Sequence, residues 1–138
     1  MTVKIFISSV LFVLSVLIAN AQDTKTYVLS GLDTIKSTKA KIDFLNETAL
    51  EAINNDPEEA KSYATQAMKL AKKEKYNNGI AYAYYNFGNV NYYLDEYKEG
   101  LLNLDSAQNI FETEQDEKVL GFVFNTILTL SYASLAVL

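Results

Sequence analysis

The 138-residue chain contains no cysteine, no histidine and no tryptophan, and all twelve of its basic residues are lysine. Each absence removes a chemistry. Without cysteine there is no disulfide and no thiol nucleophile. Zinc sites built on Cys or His are excluded, and so is a hydrolytic triad with His as its base. Without arginine, no planar guanidinium can clamp a phosphate or carboxylate through paired bonds. The net charge of −5 lacks the basic stripe that a nucleic-acid backbone requires, so no nucleic-acid partner is expected. No phosphate loop or dinucleotide fingerprint occurs, so no small-molecule cofactor is expected either.

The carboxylates that are present have simpler explanations than catalysis. Glu58-Glu59 and Asp95-Glu96 fall at expected helix starts, where capping and the helix dipole account for them. Ser106, in Asp105-Ser106-Ala107-Gln108, has no flanking glycine and reads as mid-helix rather than as a nucleophile elbow. Asn46-Glu47-Thr48 matches the glycosylation sequon but carries no weight here. The lysine-rich 69–75 segment reads as a solvated helix end. No catalytic residue, no metal ligand and no enzymatic activity are expected.

The first 22 residues form a separate class. Lys4 precedes an apolar stretch from about Ile5 to Ile18, followed by Ala19-Asn20-Ala21. The stretch is short for a membrane span, which needs roughly 20 residues. Small residues at positions 19 and 21 suit cleavage before Gln22, making 1–21 a signal peptide. The alternative is an uncleaved anchor. The Ala-Asn-Ala-Gln ending resembles bacterial export signals, which implies a periplasmic or secreted mature chain.

Beyond it the sequence repeats. A shift of 40 places Phe44 on Tyr84, Leu50 on Val90, Ala60 on Gly100, Ala64 on Leu104, Ala67 on Ala107 and Leu70 on Ile110. A second shift places Tyr84 on Phe124, Phe87 on Ile127, Val90 on Leu130 and Tyr92 on Tyr132. Small residues meet small ones and apolar residues meet apolar ones in a helical rhythm. Helices are expected at about 38–54, 57–75, 80–94 and 97–112, with a fifth opened by Asp116. Asp56 suits a helix cap, Pro57 the first helical position, and Asn77-Asn78-Gly79 a turn. A short leader helix fits 27–35. No strand pattern competes, so the fold class is all-α.

In the second unit Tyr84, Phe87, Gly88, Tyr97, Gly100, Leu104 and Ala107 resemble the signature of tetratricopeptide repeats. Asn91 replaces the family's usual Tyr, Glu112 its usual Pro, and the period is 40 rather than 34. The first unit keeps Ala60, Ala64 and Ala67 but has Thr48 in place of Gly; the third has Leu128 there. The resemblance implies an α-solenoid of antiparallel helix pairs. After the leader at 22–37, repeats would cover 38–77, 78–116 and, in part, 117–138. It also implies protein or peptide binding through the concave face, which in the second unit would present Tyr82, Tyr85, Asn89, Tyr92 and Tyr93. The other reading of these tyrosines is that they pack against a neighbouring repeat. The equivalent first-unit residues, Ile42, Leu45, Ala49, Ala52 and Ile53, are too apolar to stay wet, so the leader or a partner should cover them.

Residues 119–138 carry no charge and are long enough for a membrane span. The 40-residue register and the hydroxyl and amide groups in the run favour the first helix of a third repeat. An uncapped apolar helix there predicts association with further chain, a second copy or a partner. The layout is similar to the extracytoplasmic repeat region of bacterial sensor proteins. The expected function is therefore an exported, non-enzymatic binding scaffold, or else a truncated sensor region of a membrane-bound signalling protein.

Overall fold

The computed structural model describes Val28 and residues 30 to 136. The expected signal peptide at 1–21 lies outside these residues, as does the start of the leader. The chain divides into two units, Met1–Ile35 and Lys36–Leu138. In the first, residues 30–34 are helical, and the Thr34 hydroxyl donates to the Gly31 carbonyl at 2.7 Å.

The second unit holds five helices: α1 (Thr38–Ala52), α2 (Pro57–Glu74), α3 (Asn77–Tyr93), α4 (Tyr97–Glu114) and α5 (Glu117–Ala136). No strand occurs among the described residues. The fold is all-α, as expected. Each helix packs on the next, and the odd-numbered helices also touch, α1 on α3 and α3 on α5.

Local sequence explains the starts. The Ser37 hydroxyl accepts from the Ala40 N–H and caps α1. The Asp56 carboxylate accepts from the Glu59 N–H at 2.9 Å, with Pro57 next in the first turn. The Asp116 carboxylate does the same for α5 through the Val119 N–H, at 3.3 Å.

Three helix ends share one geometry that the sequence conceals. Lys75, Asp95 and Gln115 take φ of 53°, 58° and 59°. The following residue's N–H then bonds a carbonyl five back: Tyr76 to Ala71 at 2.9 Å, Glu96 to Asn91 at 2.8 Å, Asp116 to Phe111 at 3.0 Å. This is the Schellman termination, usually built on glycine. Each next helix starts two residues after the left-handed one. The turn expected at Asn77-Asn78-Gly79 is therefore the first turn of α3, because Lys75 has already reversed the chain.

Packing depends on small residues. Ala60, Ala64, Ala67 and Ala71 are fully buried along α2, and bring its neighbours close. In the α3–α4 crossing, a Cβ on Gly88 would lie 2.5 Å from Leu104 Cγ and 3.3 Å from the Gly100 carbonyl oxygen. A Cβ on Gly100 would lie 2.4 Å from Leu130 Cδ2, so α5 presses on the same point. Around it, Leu104, Ala107, Phe111, Val119, Val123 and Leu130 form one buried cluster. Burying a side chain such as Phe111 stabilises by about 1.5–3 kcal/mol.

α5 buries one side only. Val119, Val123 and Leu130 are covered, whereas Phe124, Leu128, Tyr132 and Leu135 are exposed. Val119–Ala136 is also long and apolar enough to cross a membrane.

Candidate functional site

Two open clefts lie side by side on the face made by α1, α3 and the start of α5. The first, about 330 Å³, is lined by Leu50, Tyr82, Tyr85, Asp116, Val119 and Phe122. The second, about 360 Å³, is lined by Asp43, Asn46, Glu47, Tyr76, Asn78, Tyr82 and Asp116. Tyr82 and Asp116 belong to both, so the clefts form one groove with a common wall.

Helical spacing builds that groove. Asp43, Glu47 and Leu50 stand four and three residues apart on α1, and Asn78, Tyr82 and Tyr85 do the same on α3. Asp116, Val119 and Phe122 continue the pattern into α5. The two halves differ in character. Leu50, Tyr85, Val119 and Phe122 make one apolar, whereas Asp43, Glu47 and Asp116 make the other acidic.

The hydroxyl of Tyr82 registers this field. Burial raises its pKa first, and the negative charges of Asp116, Asp43 and Glu47 raise it further. Burial likewise raises the pKa of Tyr76, and the neighbouring Asp43 carboxylate raises it further. Among the described residues, no group of three or more carboxylates is placed to hold a metal ion.

Of the five residues expected to form a binding face, only two line the groove. Tyr82 and Tyr85 line the groove. Tyr82 is also anchored from behind, edge-on to the buried Phe111 ring at 5.1 Å. Asn89 is half-buried and donates its side-chain amide to the Tyr85 carbonyl of its own helix at 2.9 Å. Tyr92 and Tyr93 lie outside both clefts. They pack edge to face at 5.4 Å, and Tyr92 also meets Tyr97 at 6.2 Å. The Tyr93 hydroxyl bonds the Asn54 side-chain oxygen across to the end of α1.

The first-unit positions also separate. Ile42, Leu45, Ala49 and Ile53 are buried, and Ala52 is half-buried. Ile42 lies against Gly79, where a Cβ would come within 2.6 Å of its Cγ2. Ile53 clusters with Ala60 and Val90. These residues form the seam between α1 and its neighbours.

The α1 side of the groove is instead Asp43, Glu47 and Leu50, which the repeat register does not single out. Their spacing along one helix face was the available signal. Comparison of the chain with protein-family models, with curated proteins and with solved structures finds no match.

Proposed function

We propose that this chain is a non-enzymatic helical-repeat scaffold of tetratricopeptide type that binds a peptide segment of another protein along the α1–α3–α5 groove. The observation that carries this reading is the pair of adjoining clefts, joined at Tyr82 and Asp116 and built from the odd-numbered helices and the cap residues that precede α3 and α5. The Gly88–Gly100 approach and the 40-residue recurrence of helix pairs support the repeat architecture. Concave sites lined by aromatic rings with a few polar groups suit such recognition, because each ring offers apolar area and a hydroxyl together. The export motif before Gln22 supports a periplasmic or secreted setting.

The test places a photo-crosslinking phenylalanine analogue at Tyr85, inside the groove, and at Lys69, exposed on α2. Both variants are activated in cells that make the protein. Covalent adducts with a polypeptide from position 85 and none from position 69 support the groove. Equal adducts from both positions, or adducts from 69 alone, remove it.

The exposed face of α5 favours a second reading for that helix alone. Phe124, Leu128, Tyr132 and Leu135 form an apolar stripe of the kind that marks association surfaces.

A further inference from the structure

The groove is chemically lopsided. Its acidic half gathers Asp43 and Glu47 from α1 and Asp116 from the α5 cap, and among the described side chains no lysine lines either half. All three carboxylates line one cleft together with Tyr82, so they face a common space. Acceptors outnumber donors there in a second way. Asn78 lines the same cleft, and its buried side-chain oxygen has no hydrogen-bond partner among the described residues. A buried acceptor without a donor is unfavourable, and a ligand that brings N–H groups relieves it. The rim already takes one cation: the Lys39 ammonium lies 5.1 Å above the Tyr76 ring. The acidic half opens directly into the apolar half through the shared wall of Tyr82 and Asp116.

We infer that the groove selects a peptide in which a lysine or arginine adjoins a large apolar residue. The cation enters between Asp43, Glu47 and Asp116, and the apolar side chain fills the space among Leu50, Tyr85, Val119 and Phe122. Charge complementarity identifies the occupant, and the adjoining apolar cleft requires more than a free amine. This inference rests on the peptide-groove reading above and specifies its sequence preference.

The probes are fluorescein-labelled synthetic peptides with Gly-Ser flanks and a central Lys-Phe, Arg-Phe, Glu-Phe or Lys-Ser pair. Each is titrated into the full chain, with anisotropy giving affinity and amide chemical shifts giving the site. Lys-Phe and Arg-Phe peptides should bind at least about tenfold tighter than Glu-Phe, and tighter than Lys-Ser. Their shifts should centre on Tyr82, Tyr85 and Asp116. Asp43→Asn and Asp116→Asn should each weaken Lys-Phe binding by about threefold to tenfold, and raised salt should weaken it further. Asn preserves the cap that Asp116 gives α5, so circular dichroism should not change.

Equal binding of Lys-Phe and Glu-Phe peptides at the groove overturns the charge preference and leaves the groove standing. Equal binding of Lys-Phe and Lys-Ser shows a simple amine site and also overturns the inference. Shifts centred elsewhere, or no binding by any probe, overturn the inference and count against the groove itself.

Discussion

The side-chain amide of Asn86 donates to the backbone carbonyl of Asn46 at 2.9 Å, across 40 positions of sequence. The Asn46 amide in turn donates to the Gly79 carbonyl at 3.1 Å, so buried amides lace α1 to α3 at two levels. Both asparagines are almost wholly buried, and a buried polar group is costly once its partner is lost. Asn86→Ala is therefore expected to destabilise by about 1–3 kcal/mol, combining the lost bond with a small void. Asn89→Ala, which loses only a bond to its own helix, should stay within about 0.5 kcal/mol. Urea titrations of the two variants check the contrast. Equal effects would show that the α1–α3 lacing contributes nothing.

Glycines in this fold separate by what a methyl group would meet. At Gly88 an added Cβ would lie 2.5 Å from Leu104 Cγ, a branching carbon with little freedom to move. At Gly121 it would meet nothing within 4 Å. Gly121→Ala should stabilise by about 0.5–1 kcal/mol, the ordinary gain of alanine within a helix. Gly88→Ala carries the same gain, but overpacking of about 1–3 kcal/mol outweighs it. Thermal melts should thus move in opposite directions, and two upward shifts would show that α3 and α4 do not approach closely.

The three left-handed helix ends invite the reverse substitution. Lys75 and Gln115 are exposed and adopt positive φ, where a side chain is disfavoured. Lys75→Gly and Gln115→Gly should each stabilise by about 0.5–1 kcal/mol by removing that conflict. The two junctions are neighbours in space, since the Asn77 amide donates to Glu114 Oε1 at 2.8 Å, so the double variant tests whether the gains add. Denaturant midpoints of the single and double variants measure this; a loss at both would mean that these side chains hold the junctions.

Much of this architecture was legible in residue spacing. Ala60, Gly100 and Gly88 announced where helices cross, and Asp56-Pro57 announced a helix start. The junctions were less legible, because Lys75, Asp95 and Gln115 carry none of the glycine signal that usually marks a left-handed end. Asn77-Asn78-Gly79 has turn chemistry, yet Gly79 serves close approach to Ile42 inside a helix. Asn91 departs from the repeat pattern because it is a buried junction: it donates to the Glu96 carboxylate at 2.5 Å and accepts from Asn103 at 3.0 Å. The groove was half legible. Tyr82 and Tyr85 stood out as aromatic, but Asp43, Glu47 and Asp116 look like ordinary helix-surface or capping acids until three helices bring them together.

The stripe on α5 makes a prediction about association. Leu128 and Tyr132 are 54% and 67% exposed, so replacing them removes little intramolecular packing. The double variant Leu128→Glu, Tyr132→Glu should keep its helicity within about 0.5 kcal/mol of stability per site. It should also lower concentration-dependent association in sedimentation velocity. A parent chain that sediments as a monomer at every concentration would show that the stripe does not drive self-association.

Tyr63 sets an alkaline limit on the fold. Its ring is 6% exposed, and its hydroxyl donates to Glu59 Oε1 at 2.8 Å. Burial, then the bond to Glu59 and the negative charges of Glu59 and Asp56, push its pKa up to about 12. The folded protein therefore holds this proton more tightly than the unfolded chain, whose tyrosines ionise near pH 10. The stability so gained is whole below about pH 10 and is lost as the pH rises through about 12. Tyr76 and Tyr82 are shifted in the same direction and add to the loss. Tyr63→Phe should cost about 0.5–1.5 kcal/mol at neutral pH, where the hydrogen bond counts, and should flatten the alkaline decline. Urea midpoints across this range, paired with phenolate absorbance, measure both effects. An unchanged alkaline decline in the variant would place the limiting ionisation on another tyrosine.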